Sequence, residues 1–311
     1  MITLKKRKIL AKRCLKGVSI GDAFGESFFG ETNMILKHID EQTLPTTTWE
    51  FTDDTIMAIA VYEQLVHLQA IDQDALALTF VRNHNLDPNR GYGATVRRIL
   101  REIGEGKAWV DLSKAVFDGM GSMGNGAAMR VASIGAFYYD DLTKVKALAQ
   151  ASAVVTHAHL EAQVGAMAVA VAAGLATQVG LGQATFSPAA FITAVVNELP
   201  ASDTTSKINK ALHVSARAHP ETLKTVLGNG NKMTAQDTVP FVIWCAAHHL
   251  DNFEVALWQA VAVLGDRDTI AAMVGGIVCM SCLDQTIPIL WQEAVEAVEQ
   301  SVFMQPIFRL K

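Results

Sequence analysis

The sequence predicts an all-α protein that folds as one compact domain. Apolar residues recur at spacings of three and four along almost the whole chain, which is the spacing of helices with one buried face. Alternating apolar and polar runs bounded by turns, which would indicate strands, are scarce. No linker rich in proline, glycine and serine and no fixed-period repeat divides residues 1–311, so we expect a single domain.

The same periodicity sets the order of the elements. Helices are predicted over 4–19, 53–70, 73–84, 93–104, 112–119, 126–137, 142–154, 158–178, 188–198, 206–217, 233–249, 253–263, 268–282 and 288–302. Side-chain oxygens that can accept the free N–H groups of a first turn precede several of these helices. The predicted caps are Thr52, Asp72, Asp111, Asp141, Ser187, Asp251 and Asp266 or its neighbour.

Composition narrows the class of protein. Half of the residues are hydrophobic and 18% are charged, which is enough for a large core, and the net charge of −5 gives no reason to expect nucleic acid. The cysteines, including the pair in CMSC at 279–282, are expected as buried small residues rather than a metal or redox pair. No secretory leader is visible, so we expect a cytoplasmic location.

One segment is long enough to cross a bilayer. Residues 162–197 carry no charged side chain. Alanine and glycine dominate this segment, however, and glutamines interrupt it, so its hydrophobicity is weak and its small side chains suit close helix packing. We therefore predict a central helix of the protein interior and no membrane partner.

Two distant segments place paired acids and a threonine at the start of an apolar helix. These are WEFTDDTIMAIA, residues 49–60, and GDRDTIAAMVGGIV, residues 265–278. One carboxylate in a first turn is stabilised by about 0.3–1 kcal/mol, and simple capping would explain it. Two per helix at the edge of a core raise each other's pKa and cost several kcal/mol unless cations neutralise them.

Divalent cations would relieve this crowding if the two helix starts meet after folding. Mg²⁺, or Mn²⁺ as the alternative, prefers the oxygen ligands that carboxylates and hydroxyls supply, and two such ions lie about 3.5–4 Å apart in binuclear sites. The candidate ligands are Thr52, Asp53, Asp54, Asp266, Asp268 and Thr269.

Two glycine-rich segments lie between these clusters or before them. GDAFGESFFG, residues 21–30, is interpreted as a helix end running into a tight loop. In this loop, either Asp22 simply caps the turn and Glu26 is solvated, or one of the two acids reaches a metal-bound water. DGMGSMGNGAAMR, residues 118–130, leads into a helix and could cradle phosphate oxygens with its N–H groups, although a plain loop explains it equally well.

A further segment, VVTHAHLEAQ, places His157 and His159 at the start of the alanine-rich helix. Zinc binding would need a third ligand of the same kind, and none is nearby. We expect one histidine to contact a ligand or orient a loop, with a purely structural histidine as the alternative. Asp87 and Arg90, in NLDPNRGYG, form either a rim loop over the site or a plain turn.

Taken in order, GDAFG, FTDDT, GSMGNGAAMR, THAH and GDRDTIAAMVGGI resemble the ADP-ribosylglycohydrolase family, from about residue 16 to residue 283. That family includes dinitrogenase reductase-activating glycohydrolase and the ADP-ribosylarginine and ADP-ribosylserine hydrolases. The resemblance implies a compact orthogonal helical bundle with a binuclear magnesium or manganese centre on the six candidate ligands. It also implies that ADP-ribose lies against His157 and a loop made of Gly121, Ser122, Met123, Gly124, Asn125 and Gly126.

One position departs from the family pattern. Many relatives carry a glutamate seven residues beyond the Asp of the GDA motif, close to the metals, and Phe29 stands there in this chain. Glu26 and Glu31 lie nearby, and we expect Glu26 to substitute. The proposed catalytic groups are then Asp53, Asp54 and Glu26, which would accept the proton of the attacking water.

The resemblance implies hydrolysis of the bond between ADP-ribose and a protein side chain, most closely in the arginine-type manner. The implied partners are ADP-ribose and an ADP-ribosylated protein, for example the target of a modifying toxin or of a regulatory transferase. A serine linkage or a small ADP-ribose ester is the enzymatic alternative. A non-catalytic relative that serves a structural or toxin-blocking role is the alternative from another class.

Overall fold

The structure is a computed structural model and describes residues 2–283 and 287–304. In this part of the chain it contains sixteen α-helices and three short 3₁₀ helices. No strand forms among these residues, where the β-type pairings are two isolated bridges, Trp49 with Val295 and Gly124 with Thr234. The predicted all-α class is therefore confirmed.

The helices follow one another with short connections. They are α1 Leu4–Glu26, α2 Thr32–Asp40, α3 Asp53–Leu68, α4 Gln73–Leu86, α5 Ala94–Gly104, α6 Trp109–Ala115, α7 Ala132–Phe137, α8 Leu142–Val154, α9 Leu160–Gly180, α10 Pro188–Asn197, α11 Asp203–Lys210, α12 Pro220–Leu227, α13 Ala235–His248, α14 Phe253–Ala262, α15 Arg267–Ser281 and α16 Ile289–Ala294. The 3₁₀ helices are Asn125–Ala127, Ala211–His213 and Val298–Gln300.

Helix α9 forms the centre of the core, as its alanine and glycine content predicts. It packs against α7, α8, α13 and α15, and 83% of its most apolar stretch is buried inside the protein. Close packing depends on small residues, because a Cβ at Gly135 of α7 would collide with the carbonyl oxygen of Ala170. Length and composition alone would also allow this helix to cross a membrane, but its surface is occupied by neighbouring helices.

Helices α1 and α15 run antiparallel with their backbones in contact. Gly17, Gly21 and Gly25 recur every fourth residue and so lie on one face of α1. A Cβ at Gly21 would collide with the carbonyl oxygen of Ala271, and one at Gly25 with that of Arg267. These glycines serve helix packing rather than a turn, so the prediction that α1 ends near residue 19 and enters a tight loop was wrong.

Two helices, α2 and α12, were not predicted because their N-caps are unusual. The carboxylate of Glu31 accepts the N–H groups of Asn33 and Met34 at the start of α2. At the start of α12, Nδ1 of His219 accepts the N–H of Glu221. Glutamate and histidine are outside the set of residues that normally signals a helix start, and both helices are short.

The predicted helix over 126–137 is interrupted. Residues Asn125–Ala127 form a 3₁₀ turn, and α7 begins only at Ala132. The N–H of Asn125 donates to the carbonyl oxygen of Met233 at 3.1 Å, so the start of this segment is bound to the chain just before α13. The three predicted helices over 112–119, 206–217 and 288–302 are likewise shorter than expected or divided.

Most predicted caps are confirmed. The side chains of Thr52, Asp72, Asp141 and Ser187 each accept an N–H of the first turn that follows them. Three differ from the prediction. Asp111 lies inside the first turn of α6, Asn252 rather than Asp251 caps α14, and Asp266 occupies the N-cap of α15 without accepting a capping hydrogen bond. The four cysteines are all buried, as predicted.

Candidate functional site

The start of α3 supplies the first acidic cluster. Thr52 is the N-cap, and its hydroxyl accepts the N–H of Asp54 at 3.3 Å. Asp53 and Asp54 follow in the first turn with only 8% and 2% of their surface exposed. Both carboxylates are therefore inside the protein, where ordinary solvation cannot explain them.

Asp22 binds this cluster to α1. It is fully buried, and its carboxylate accepts hydrogen bonds from the N–H and hydroxyl groups of both Thr52 and Thr55, over 2.6–3.0 Å. Burial raises the pKa of Asp22 to about 7, against the effect of the Thr55 hydroxyl and with a further rise from the charge of Asp268. Asp22 is thus a buried anchor of α3, not the cap of a turn.

The start of α15 supplies the second cluster, and it meets the first. The hydroxyl of Thr269 donates to Oδ2 of Asp54 at 3.3 Å, the same oxygen that accepts the Thr52 hydroxyl at 3.3 Å. Residues 215 positions apart are therefore in direct contact. The condition on which the sequence argument depended, that the two helix starts lie together, is met.

The acids strongly perturb one another. Burial raises the pKa of Asp53 and of Asp54 well above 3.8, and the charges of Asp22 and Asp268 raise both further. Burial also raises the pKa of Asp266 to about 8, with Asp268 as the next cause. Without a counter-ion, several of these carboxyls would hold protons at neutral pH.

The candidate ligands are suited to a hard divalent cation, because all of them supply oxygen donors and two of these oxygens have no hydrogen-bond partner in the described part of the chain. Oδ1 of Asp54 and Oδ1 of Asp268 are buried and have no hydrogen-bond partner in the described part of the chain. Such an oxygen costs about 1–3 kcal/mol unless a cation or donor binds it. Within residues 2–283 and 287–304, however, no three Asp, Glu, His or Cys side chains form a ready-made ion cage. The oxygen donors therefore lie near one another, but their positions in this structure do not form a complete coordination shell.

The loop Gly121–Gly126 lies beside the second cluster. The amide nitrogen Nδ2 of Asn125 donates to Oδ2 of Asp266 at 2.5 Å and to the hydroxyl of Thr238 at 3.0 Å. An antiparallel bridge between Gly124 and Thr234 fixes the backbone of the loop. Any group held by this loop is therefore next to the acids, as the sequence interpretation requires.

Some of the loop N–H groups that were expected to bind phosphate already donate hydrogen bonds within the protein. The N–H groups of Gly121, Gly124 and Asn125 donate to Val116, Ser122 and Met233. The N–H groups of Ser122, Met123 and Gly126 have no such acceptor among the described residues, so these are the donors that remain for a bound anion.

His157 packs directly on the glycines of the loop. A Cβ at Gly124 would lie 3.0 Å from Nε2 of His157, and one at Gly126 would lie 3.3 Å from it. The ring is 4% exposed, its Nδ1 is 2.7 Å from the hydroxyl of Thr156, and burial lowers its pKa to about 3. A neutral imidazole therefore supports the loop. His159 does not join it, because its Nδ1 caps α9.

The geometry separates the two candidate glutamates. Glu31 is exposed and caps α2, whereas Glu26 ends α1 beside the first turn of α15. Burial of part of the Glu26 side chain and the charge of Asp268 raise its pKa to about 7, against the lowering effect of Arg267. Since more than a third of Glu26 is exposed, water screens this shift, but only Glu26 faces the acids.

The loop with Asp87 and Arg90 borders the site. The carbonyl oxygen of Arg90 accepts the N–H of Asp53 at 2.6 Å, and a Cβ at Gly91 would lie 3.0 Å from Oδ1 of Asp53. The guanidinium of Arg90 is held by Asp87 at 2.9 Å and by Glu296 at 2.5 Å. Of the two interpretations, the structure supports a rim loop, because its backbone covers the start of α3.

Sequence reasoning missed a buried charged residue, Arg130. It is fully buried, donates to the carbonyl oxygen of Ser152 at 2.7 Å, and lies 4.6 Å from the ring centre of Phe80. Burial lowers its pKa to about 9, while the charge of Asp53 opposes this change. An arginine inside the apolar run AAMRVASIGAF was the signal, because a buried cation needs a nearby anion.

Comparison with known proteins shows which family has this arrangement of residues. The sequence profile of the ADP-ribosylglycohydrolase family matches residues 3–306. The chain is 28% identical to the ADP-ribosylhydrolase ARH3 of Mus musculus, over 96% of this chain and 90% of that protein. It is also 28% identical to the human ADP-ribosylhydrolase ARH3, over 96% and 92% of the two chains.

A solved structure agrees with the fold. The chain called an ADP-ribosylglycohydrolase-related protein complex superimposes with a TM-score of 0.62 and 22% identity, over 94% of each chain. At that identity the likeness supports the architecture alone. The match of the family profile, in contrast, covers nearly the whole sequence, including both acidic helix starts and the glycine loop. The chain therefore belongs to the ADP-ribosylglycohydrolase family.

Proposed function

We propose that this protein hydrolyses the glycosidic bond between ADP-ribose and a protein side chain and so reverses mono-ADP-ribosylation in the cytoplasm. One observation carries the proposal. The Thr269–Asp54 contact joins the two acidic helix starts, and the Asn125–Asp266 contact attaches the glycine loop to them. A sugar phosphate bound at the loop would therefore have its reactive end at the acids.

Six side chains would hold two Mg²⁺ ions, with Mn²⁺ as the alternative. The unpaired oxygens of Asp54 and Asp268 are the observation that favours this. When bound, the ions would neutralise the carboxylates, orient the distal ribose and lower the pKa of a water molecule. The proposed ligands are Thr52, Asp53, Asp54, Asp266, Asp268 and Thr269.

The loop and its histidine would bind the rest of ADP-ribose. The N–H groups of Ser122, Met123 and Gly126 would donate to the diphosphate, as backbone donors of glycine-rich turns do. His157 supports Gly124 and Gly126 from behind, and its low pKa keeps it neutral. An uncharged support leaves the anion to be neutralised by the backbone dipoles.

The carboxylates would move the proton and stabilise the sugar. Glycoside hydrolysis passes through a transition state with positive charge on the ribose ring, which nearby carboxylates stabilise. Asp53 and Asp54 in the first turn of α3 would face the ribose, and Glu26, at the end of α1, lies near enough to Asp268 for the two charges to interact. Glu26 would exchange a proton with the attacking water or the leaving group.

The acceptor side chain is the open part of the proposal. The motif set favours arginine. A hydroxyl or ester linkage is the other candidate, and the surroundings of the acids favour it over arginine, because the guanidinium of Arg267 lies beside Glu26 and Asp268, where the acceptor would leave.

One experiment tests the proposal as a whole. The protein is incubated with arginine-, serine- and glutamate-linked ADP-ribose substrates, with and without Mg²⁺, and release of ADP-ribose is measured. We expect release from at least one substrate, and we expect a chelator to abolish it. Binding of ADP-ribosylated protein without release from any of the three would contradict the hydrolase and favour the non-catalytic alternative.

A further inference from the structure

Arg267 is a cation placed between two acids of the proposed metal site. It is the first residue of α15, between Asp266 and Asp268. Its guanidinium carbon lies 4.3 Å from the ring centre of Phe29, whose ring is 45% exposed. The edge of this site therefore carries a half-buried arginine stacked on an exposed aromatic ring.

Arg267 forms no salt bridge with any residue in the described part of the chain. Its Nε is buried and has no hydrogen-bond partner there. The acids Asp268, Asp266 and Glu26 are near enough to act on its pKa, but none of them forms a salt bridge with it within 4.0 Å in that part of the chain. Stacking on Phe29 holds the guanidinium in place, as cation–π contacts do.

The position of Arg267 relative to the loop defines which part of a substrate it meets. The glycine loop reaches the acids through Asn125 and Asp266. Helix α1 packs against the same turn, where a Cβ at Gly25 would meet the backbone of Arg267 and Asp268. The bond to be cleaved would run from the loop, across the acids, towards Glu26 at the end of α1. The acceptor side chain then leaves past Arg267.

We infer that Arg267, held by Phe29, selects the acceptor by charge, an inference that rests on the proposed function. A guanidine-linked acceptor is cationic at neutral pH and would lie near a second guanidinium. Without Arg267, the acids Glu26 and Asp268 would attract such a cation, and with it that attraction is cancelled or reversed. A hydroxyl-linked acceptor is neutral and meets no repulsion. Two unit charges a few ångströms apart in a partly buried site change a rate by about ten-fold or more.

The test compares two peptides that are identical except for the linkage, one with ADP-ribosylated serine and one with ADP-ribosylated arginine. We expect kcat/KM of the natural protein to favour the serine-linked peptide by about ten-fold or more. Arg267→Gln should lower this ratio by about five-fold or more, whereas Arg267→Lys, which keeps the charge, should retain most of it. Phe29→Leu should lower the ratio to an intermediate value, because the guanidinium loses its support.

The dependence of the kcat/KM ratio on salt distinguishes a charge effect of Arg267 from a purely structural role. Raising NaCl from about 50 to about 500 mM shortens the screening length several-fold. The ratio should therefore fall with salt in the natural protein and in R267K, but not in R267Q. This series and F29L test the inference even if R267Q folds poorly, which its melting temperature and its affinity for free ADP-ribose would reveal.

Three results would overturn the inference. A natural protein that prefers the arginine-linked peptide contradicts it, and so does a ratio that R267Q leaves unchanged while both peptides are cleaved. A ratio that R267K lowers as much as R267Q does excludes a charge effect, because lysine keeps the charge. Cleavage of neither peptide has a different meaning, because it contradicts the proposed function itself.

Discussion

The starts of α3 and α15 have nearly the same residues but different surroundings. At α3, Thr52 caps the helix, and Asp22 binds both Thr52 and Thr55 from within the core. At α15, Asp266 occupies the cap position without capping and is bound by the loop residue Asn125 instead. One acidic helix start is anchored to the scaffold, and the other is attached to the candidate ligand loop.

This difference indicates that the two clusters have different roles within one site. The α3 cluster is buried, and its geometry is fixed by four hydrogen bonds to Asp22. The α15 cluster borders Glu26 and Phe29, which are exposed, and it carries Arg267 between its acids. We expect the first cluster to determine rigidity and the second to determine what the site accepts.

Removing one acid from either helix start should abolish activity. Asp53→Ala and Asp268→Ala each remove a proposed ion ligand, and the loss of Mg²⁺-dependent ADP-ribose release should be about 1,000-fold or more. Both variants should stay folded by circular dichroism, because each also removes a repelled charge. Full turnover in either variant would reject the shared site.

Replacing Glu26 should affect the rate but not the fold. Glu26→Gln keeps the shape of the side chain and removes its proton-transfer ability, so kcat should fall by about 100-fold. Glu31→Gln is the matched control, since Glu31 only caps α2, and its effect should be a loss of stability of about 1 kcal/mol. Equal rates for E26Q and the natural protein would remove Glu26 from the mechanism.

Removing the metal should make stability depend on pH. Burial raises the folded-state pKa of Asp266 from 3.8 to about 8 and that of Asp22 from 3.8 to about 7. A raised carboxyl pKa stabilises the fold fully below the unfolded value, and this stability is lost as the pH rises through the folded value.

The free energy of unfolding in chelator should therefore decrease from about pH 4 to about pH 8, and urea titrations at several pH values measure it. Mg²⁺ at about 100 times its Kd should add about 2.7 kcal/mol and flatten the profile. A chelator-insensitive melt would count against ion binding.

The smallest expected effect is a difference in stability between variants of Asp22, which anchors α3, and of Asp54, which lies among other acids. Asp54→Asn removes a charge whose Oδ1 is unpaired, so the metal-free protein should become more stable by about 1 kcal/mol. Asp22→Asn places an amide donor among four donors and should destabilise by about 1–3 kcal/mol. Thermal melts in chelator compare the two. Equal shifts in one direction would show that both aspartates have the same role.

Much of this site could be predicted because its signals are local. The helical period of apolar residues located most helices, and paired acids before an apolar run identified both clusters. Glycines before a helix indicated the ligand loop. The same reasoning failed for Gly17, Gly21 and Gly25, because a glycine that ends a helix and one that permits another backbone to approach are identical in a sequence.

The sequence by its local pattern indicated most of the helices, the burial of the cysteines and the candidate residues of the site, because these depend on neighbours within a few positions. Tertiary structure alone decided that Thr269 touches Asp54, that Asp22 anchors α3, and that Arg267 stacks on Phe29. It also decided that the pKa values of Asp22, Asp53, Asp54 and Asp266 are raised. Burial and charge interactions depend on distances between residues far apart in the sequence, and those distances exist only after the helices pack.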